Sequence, residues 1–334
     1  MKRAAIIGMG AIFETHLQAL KETQAAQLCA VCDIDPAKAA LAPGVPFYTD
    51  YRCMLEQEKP DSVHICLPHD LHLPVAEDCA RAGCHVLCEK PLANTLAAAE
   101  KLAALEEEFP DQVLSLCLQN RWNPSFGALR AALDSGDYGQ LRGVRALVAW
   151  ARPKTYYEKS PWRGQKDRAG SGVLLNQSIH TLDLMLQLTG PVQSVQAGVS
   201  RLLDYGIEVE DTVSAVMKFE SGVQGVFFGT VANTIDQATE LWAFTEKTNF
   251  LLRGGKLFRQ DADGAFTLLV QDDEPVAGKF YYGSSHRLLI DQFYKAMEDR
   301  SIVYTHLRDG LPVARLIDAM LNQDVNTEAE REPI

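Results

Sequence analysis

No apolar run in this 334-residue chain approaches the ~18 residues needed to cross a bilayer. Nor does any cluster of Lys or Arg interrupt its net charge of −12. The first absence excludes a helical membrane span, and the second argues against nucleic acid or an anionic membrane as partner. Cysteine is missing beyond Cys117: all eight (Cys29, Cys32, Cys53, Cys66, Cys79, Cys84, Cys88, Cys117) fall before that point, mostly within apolar runs. Such a distribution reads as free thiols used as small core residues. Cys29-Ala-Val-Cys32 has redox or half-zinc spacing, but it sits in a strand run with no second Cys or His pair at metal spacing, so no metal is expected. Internal repeats and low-complexity linkers are lacking as well. The N-terminus, Met-Lys-Arg-Ala-Ala-Ile-Ile-Gly, goes directly into a strand rather than a signal peptide, which makes the cytoplasm the expected compartment.

What is present begins with length, which at about 150 residues per domain predicts two domains. The first, over residues 1–120, alternates strand and helix at the pitch of βαβ units. Arg3 to Ile7 is a short apolar strand, and Gly8-Met-Gly10-Ala11-Ile12-Phe13 follows before a helical run from Glu14 to Glu22. Strand, tight turn and helix N-terminus form a dinucleotide-binding fingerprint, able to receive a pyrophosphate. Phe13 stands where a third glycine or an alanine is expected, so helix packing there must adjust. The next strand, Ala26 to Cys32, ends on Asp33, about 20 residues on, where a carboxylate can hold a ribose diol. With no Arg or Ser directly after Asp33, NAD is favoured over NADP.

Asp61 to Leu67 is the clearest buried strand, running into Leu67-Pro68-His69. His69 and His72 stand near Pro68 and Pro74, which suits a cleft-lining loop better than a metal-binding helix face. Gly83 to Pro91 is a second such strand, stopping on Glu89-Lys90-Pro91. A lysine at the carboxyl end of a strand faces the edge where open α/β sheets bind ligands, and can orient a hydroxyl or stabilise an alkoxide. Lys90-Pro91 is also a place for a cis bond.

Residues 121–334 change texture. Leu141 to Trp150, Val192 to Leu203, Asp211 to Phe219, Gly222 to Val231, Glu240 to Thr245 and Asn249 to Gln260 are rich in Val, Phe and Thr, predicting a mainly antiparallel sheet. Helices are expected over Phe126 to Ser135, Val173 to Leu188, Ser285 to Arg300 and Asp309 to Gln323. That last one is a candidate to pack back on the first domain, and the final dozen residues read as a frayed tail. On the helix from Val173, Asn176, His180 and Asp183 share one face. Polar and aromatic candidates for a hydroxylated ligand are Arg121, Trp122, Asn123, Arg152, Tyr156, Tyr157, Trp162, Arg163, Gln165 and Tyr282.

GMGAIFETH, CDID, HICLPHDLH, GCHVLCEKPL, QNRWNP, WRGQ, GVLLNQSIHTLD and SHRLLIDQF stand in one order along nearly the whole chain, and in that order the sequence resembles the Gfo/Idh/MocA oxidoreductases. The resemblance implies an α/β protein: an N-terminal Rossmann doubly wound parallel sheet, then a C-terminal α+β domain with an open-faced, mainly antiparallel sheet. It implies NAD-dependent dehydrogenase or reductase chemistry on CH-OH of a sugar or polyol. By this likeness Lys90 is the cleft lysine, His180 the acid/base histidine and Trp162-Arg163 a pair near the nicotinamide. Leu67, Pro68, His69, His72 and Glu89 join Gly8, Gly10, Ala11, Ile12, Phe13 and Asp33 around the cofactor. Asn176 stands where many relatives have Asp, one negative charge fewer beside Lys90. A catalytically silent NAD-binding sensor and an NAD-assisted glycosidase are the alternatives in the same family. Alternating Val, Phe and Leu, as from Gly225 to Val231, predict a sheet face that a homodimer or homotetramer covers.

Overall fold

The computed structural model describes residues 1–273 and 285–322; Tyr282 and the expected C-terminal tail lie outside the described residues. Two sheets organise the chain. The first is built from β1 (Lys2–Ile7), β2 (Ala26–Cys32), β3 (Phe47–Tyr48), β4 (Ser62–Ile65), β5 (His85–Cys88) and β6 (Leu114–Leu116), all parallel, in the order β3-β2-β1-β4-β5-β6. Between the strands run α1 (Phe13–Glu22), α2 (Tyr51–Glu58), α3 (His72–Arg81) and α4 (Leu96–Glu108). Parallel strands need such crossovers, and the helices then cover both faces. Strand β1 makes this visible: Ala5 and Ile7 enter one core with Met54, Val75 and Leu102, while Ala4 and Ile6 enter another with Phe13, Leu17 and Leu20. Phe13 thus fills the space that a glycine would have left, and is buried as the first residue of α1.

The second sheet follows α5 (Pro124–Asp134). Its strands are β7 (Leu141–Ala149), β8 (Val192–Ser200), β9 (Thr212–Phe219), β10 (Gln224–Thr230), β11 (Glu240–Thr245), β12 (Asn249–Arg253), β13 (Lys256–Gln260) and β14 (Phe266–Gln271). They lie in the order β14-β13-β12-β11-β7-β10-β9-β8, antiparallel except where β10 runs parallel to β7. Between β7 and β8 come the short helices α6 (Lys154–Glu158) and α7 (Lys166–Ala169), then α8 (Ile179–Thr189). Burial alternates residue by residue along β9 and β10, the signature of a sheet with one face packed. Leu182, Met185 and Leu186 of α8 cover that face. The other face leaves Val216, Val226, Phe228, Phe266 and Leu268 exposed.

Two segments differ from the sequence reading. The single strand expected over 249–260 is a hairpin, because Gly254 and Gly255 both take positive φ (55° and 72°) and turn the chain back; β14 then extends the sheet beyond any expected strand. The helix expected from Val173 opens with a π-helical turn, Leu174–Ser178, before α8.

After β14 the chain returns to the first sheet. Helix α9 (His286–Glu298) buries Leu289, Ile290, Phe293 and Tyr294 in the core that holds Ala4, Ile6 and Phe13. Helix α10 (Leu311–Leu321) packs between the two sheets: Val313, Leu316 and Ile317 join the second core, while Leu311 and Ala314 lie against the first.

Candidate active site at the seam of the two sheets

Strand register places the chemistry. Ile7 pairs with Ile65, and Ile65 with Cys88, so Gly8, Cys66-Leu67 and Glu89-Lys90 leave the first sheet at one edge, the carboxyl end. Gly8 has φ 96°, and a Cβ there would lie 2.3 Å from the carbonyl oxygen of Cys66; only glycine fits. A Cβ at Gly10 would meet no protein atom within 4 Å, which leaves open the approach to the N-terminus of α1 that a pyrophosphate uses. Asp33, at the end of β2, accepts from the Met9 amide (2.7 Å) and from Lys38 Nζ (2.9 Å). Burial opposes its ionisation, but Lys38 and the amides of Asp35 and Met9 hold its carboxyl below the usual range. The chain's own residues therefore fit a dinucleotide: open backbone over Gly10, and a carboxylate held ionised at the end of β2.

Lys90, in a cis bond to Pro91, reaches across to the second half of the chain. Its Nζ donates to the main-chain oxygen of Asn176 at 3.0 Å. That oxygen lies within the π turn Leu174–Ser178, where hydrogen bonding departs from the α pattern. Burial pulls the Lys90 ammonium below its ordinary range, with Glu89 opposing and Arg163 adding to the pull. His180 stands four residues on. One of its ring nitrogens lies 3.4 Å from Gln119 Nε2, while Nδ1 is buried without a partner among the described residues, as is Asn176 Nδ2. Burial, then the nearby Lys90 charge, push the His180 pKa well below 6.5, so the ring is neutral and able to take a proton. The π turn is itself held by Glu210, a buried carboxylate accepting from Ser171 Oγ (2.6 Å) and the amides of Gly172 and Leu174 (both 3.0 Å).

Beside this pair the segment from 152 to 165, which includes α6, forms a layer of rings and cations. His69 packs edge-on to Trp162 at 4.9 Å, and Arg163 lies over Tyr156 at 4.3 Å. Arg152 stands over Trp150 (5.0 Å) and Tyr156 (5.4 Å) and pairs with Asp236. Tyr156 and Tyr157 touch edge to face at 5.1 Å, and Tyr157 is buried. Asn94 Nδ2 donates to the Asp167 carbonyl (2.7 Å) and Arg168 pairs with Asp70 (3.2 Å), fastening α7 to the first sheet.

Other expected ligand residues are placed in framework contacts. Arg121 forms a two-pronged ion pair with Asp183 (2.8 and 2.6 Å) and donates to the Asp309 carbonyl; the two side chains clamp α8 to the chain leaving β6. Trp122 Nε1 donates to Thr305, Asn123 and Gln165 precede α5 and α7 at their N-termini, and Tyr282 is outside the described residues. Both nitrogens of His72 face carbonyls, those of Pro91 (2.7 Å) and Leu67 (2.9 Å), while His69 Nδ1 meets the Ala169 carbonyl at 2.9 Å. Of the cysteines, Cys32, Cys66, Cys79, Cys84, Cys88 and Cys117 are buried, Cys29 is half-buried and Cys53 exposed.

Gln119, Glu210, His16 and His286 were not among the candidates. His16, Gln119 and His286 do fall within stretches that carried the family resemblance; Glu210 lies just before β9 and gives no local sign of a partner 36 residues earlier.

An oxidoreductase family model with an NAD-binding Rossmann fold matches residues 2–115, and that family's C-terminal domain model matches residues 126–250. The chain belongs to the Gfo/Idh/MocA family. Among similar proteins, D-apiose dehydrogenase of Paraburkholderia graminis is 30% identical over 73% of this chain and 64% of its own length. Inositol 2-dehydrogenase of Rhizobium meliloti is 30% identical over 67% of each. A WlbA dehydrogenase of Chromobacterium violaceum, solved with NADH and UDP-GlcNAcA, superposes with a TM-score of 0.83 at 31% identity, over 96% of this chain and 92% of that one. The matches span 64% of the length of each of the first two curated relatives. As a Gfo/Idh/MocA protein this chain pairs an NAD-binding Rossmann sheet with a mainly antiparallel second sheet.

Proposed function

We propose that the chain is an NAD-dependent dehydrogenase or reductase acting on a hydroxyl-bearing carbon of a sugar, polyol or sugar derivative, with Lys90 and His180 handling the proton. The supporting observation is the meeting of Lys90 with the Asn176 carbonyl next to a neutral His180 whose Nδ1 has no partner among the described residues. Relatives named for apiose and inositol, and one holding a sugar nucleotide, point to the same substrate class. Bound NAD supplies the hydride acceptor. His180 takes the proton of the substrate hydroxyl, and Lys90 donates a hydrogen bond to the same oxygen as negative charge builds there. In reduction the two groups return the proton. The layer of Arg152, Tyr156, Trp162 and Arg163 supplies rings and cations to hold hydroxyls and exclude water. In this reading residues 1–120 bind the dinucleotide, residues 121–334 bind substrate and associate with another copy, and the protein works in the cytoplasm. NADH formation from NAD with a panel containing myo-inositol, D-apiose and UDP-sugars tests it. Turnover that survives both Lys90→Ala and His180→Ala would overturn the assignment of the pair.

A further inference from the structure

The segment from Asp167 to Leu174, just ahead of the π turn, is tied to both sheets. Toward the first, Asn94 Nδ2 donates to the Asp167 carbonyl and His69 Nδ1 meets that of Ala169. Gly170 closes on the same loop: its φ is 78°, and a Cβ there would lie 1.8 Å from the Asn94 carbonyl oxygen. Asn94 is four residues beyond Lys90, so this side of the segment rests on the loop that carries the lysine.

Toward the second sheet the segment rests on Glu210. The Val173 amide donates to the Glu210 main-chain oxygen at 3.1 Å, and a Cβ at Gly172 would lie 1.9 Å from that oxygen, so only glycine permits the approach. The buried Glu210 side chain then divides its work between two oxygens. Oε1 accepts from Ser171 Oγ and the Leu174 amide, and Oε2 from the Gly172 amide. These donors belong to the start of a helical run, where amides have no partner inside the helix. Burial raises the Glu210 carboxyl above its ordinary range, and the same donors oppose the rise. The ordering passes inward by one further bond. The Asn176 amide donates to the Gly172 carbonyl at 2.9 Å, and the Asn176 carbonyl receives Lys90 Nζ at 3.0 Å.

We propose that Glu210 is a positioning residue for proton transfer: by holding the amides of Gly172 and Leu174 it sets the π turn so that the carbonyl of residue 176 stands at Lys90 Nζ. Two backbone donors on two different oxygens explain why a carboxylate is used. A side-chain amide has one acceptor oxygen, and its nitrogen would face an N–H. The proposal rests on Lys90 being catalytic.

Glu210→Gln keeps the size of the side chain and removes one acceptor. With a substrate found in the panel above and both ligands saturating, kcat should fall by roughly 10–10²-fold, the cost of a small misplacement at the reacting groups. In a Lys90→Ala background the same substitution should change the residual turnover by less than about twofold, because a residue acting through Lys90 has nothing left to place. A merely structural role would lower turnover by the same factor in both backgrounds, and that result would overturn the proposal. A crystal structure of Glu210→Gln gives a readout free of activity: Lys90 Nζ and the residue 176 carbonyl should part beyond hydrogen-bond distance, and a contact kept at 3.0 Å would equally overturn it. If Glu210→Gln does not fold, Ser171→Ala removes one donor of the three and carries the same cycle. Its kcat should fall by about threefold with Lys90 present and not in Lys90→Ala; an unchanged kcat in the first case would count against Glu210. Full turnover in Lys90→Ala alone would instead end the catalytic reading of the lysine, so the two failures are distinguishable.

Discussion

The two sheets solve burial differently. The first hides both faces under helices, and its strands β4 and β5 are apolar or buried at almost every position; the second hides one face and leaves Val226 and Phe228 on the other. A strand buried on both sides carries polar groups only where they find partners inside, as Ser62 and His64 of β4 do with Tyr294, so groups that must meet a ligand collect at its end. A half-covered sheet can alternate, and its free face becomes a surface for another molecule. The active-site candidates lie where the ends of the first sheet meet a helix resting on the covered face of the second.

The largest effect expected from breaking this arrangement is at that meeting point. His180→Ala and Lys90→Ala should each lower turnover by roughly 10²–10⁴-fold while NADH affinity, by fluorescence titration, stays within a few-fold. Neighbouring phenylalanines on β10 then sharpen the contrast of faces. Phe227 is fully buried and Phe228 is 40% exposed, so Phe227→Ala should destabilise by about 3–5 kcal/mol in denaturant unfolding. Phe228→Lys should instead lower the mass measured by sedimentation, since the open face is the expected contact between copies; a parent protein sedimenting as one 36.9 kDa chain at micromolar concentration would end that expectation.

Acid should separate the regions too. His64, His69 and His72 belong to the first sheet and its loops, and burial lowers the pKa of each. Histidines held neutral when folded give stability that is complete above the unfolded value near 6.5 and is lost as pH falls below it. Hydrogen exchange at pH 5 should therefore loosen β4 and α3 before β9 and β10. The smallest expected change is in cofactor choice: NAD should bind more tightly than NADP, and Asp33→Ala should narrow the difference. Lys38, paired with Asp33, moderates that preference.

Much of the fold was legible because it follows from period and turn chemistry: apolar runs for the first sheet, alternation for the second, a glycine turn before α1. The hairpin after Asn249 was missed, because apolar residues on both sides of Gly254-Gly255 read as one continuous strand. Lys90 and His180 could be named as candidates because strand ends and helix faces are local facts. The contacts of Glu210 and Gln119, and the buried hydrogen bonds that join His16 to Glu89 and His64, and His64 to Tyr294, depend on which residues meet across tens or hundreds of positions, and a single sequence carries no record of that.

The oxygen that receives Lys90 belongs to the main chain of residue 176. Substitution at that position can alter the charge, bulk or hydrogen-bonding character of the pocket without removing the anchor. The side chain beside the lysine and the lysine's own placement can therefore vary independently of one another.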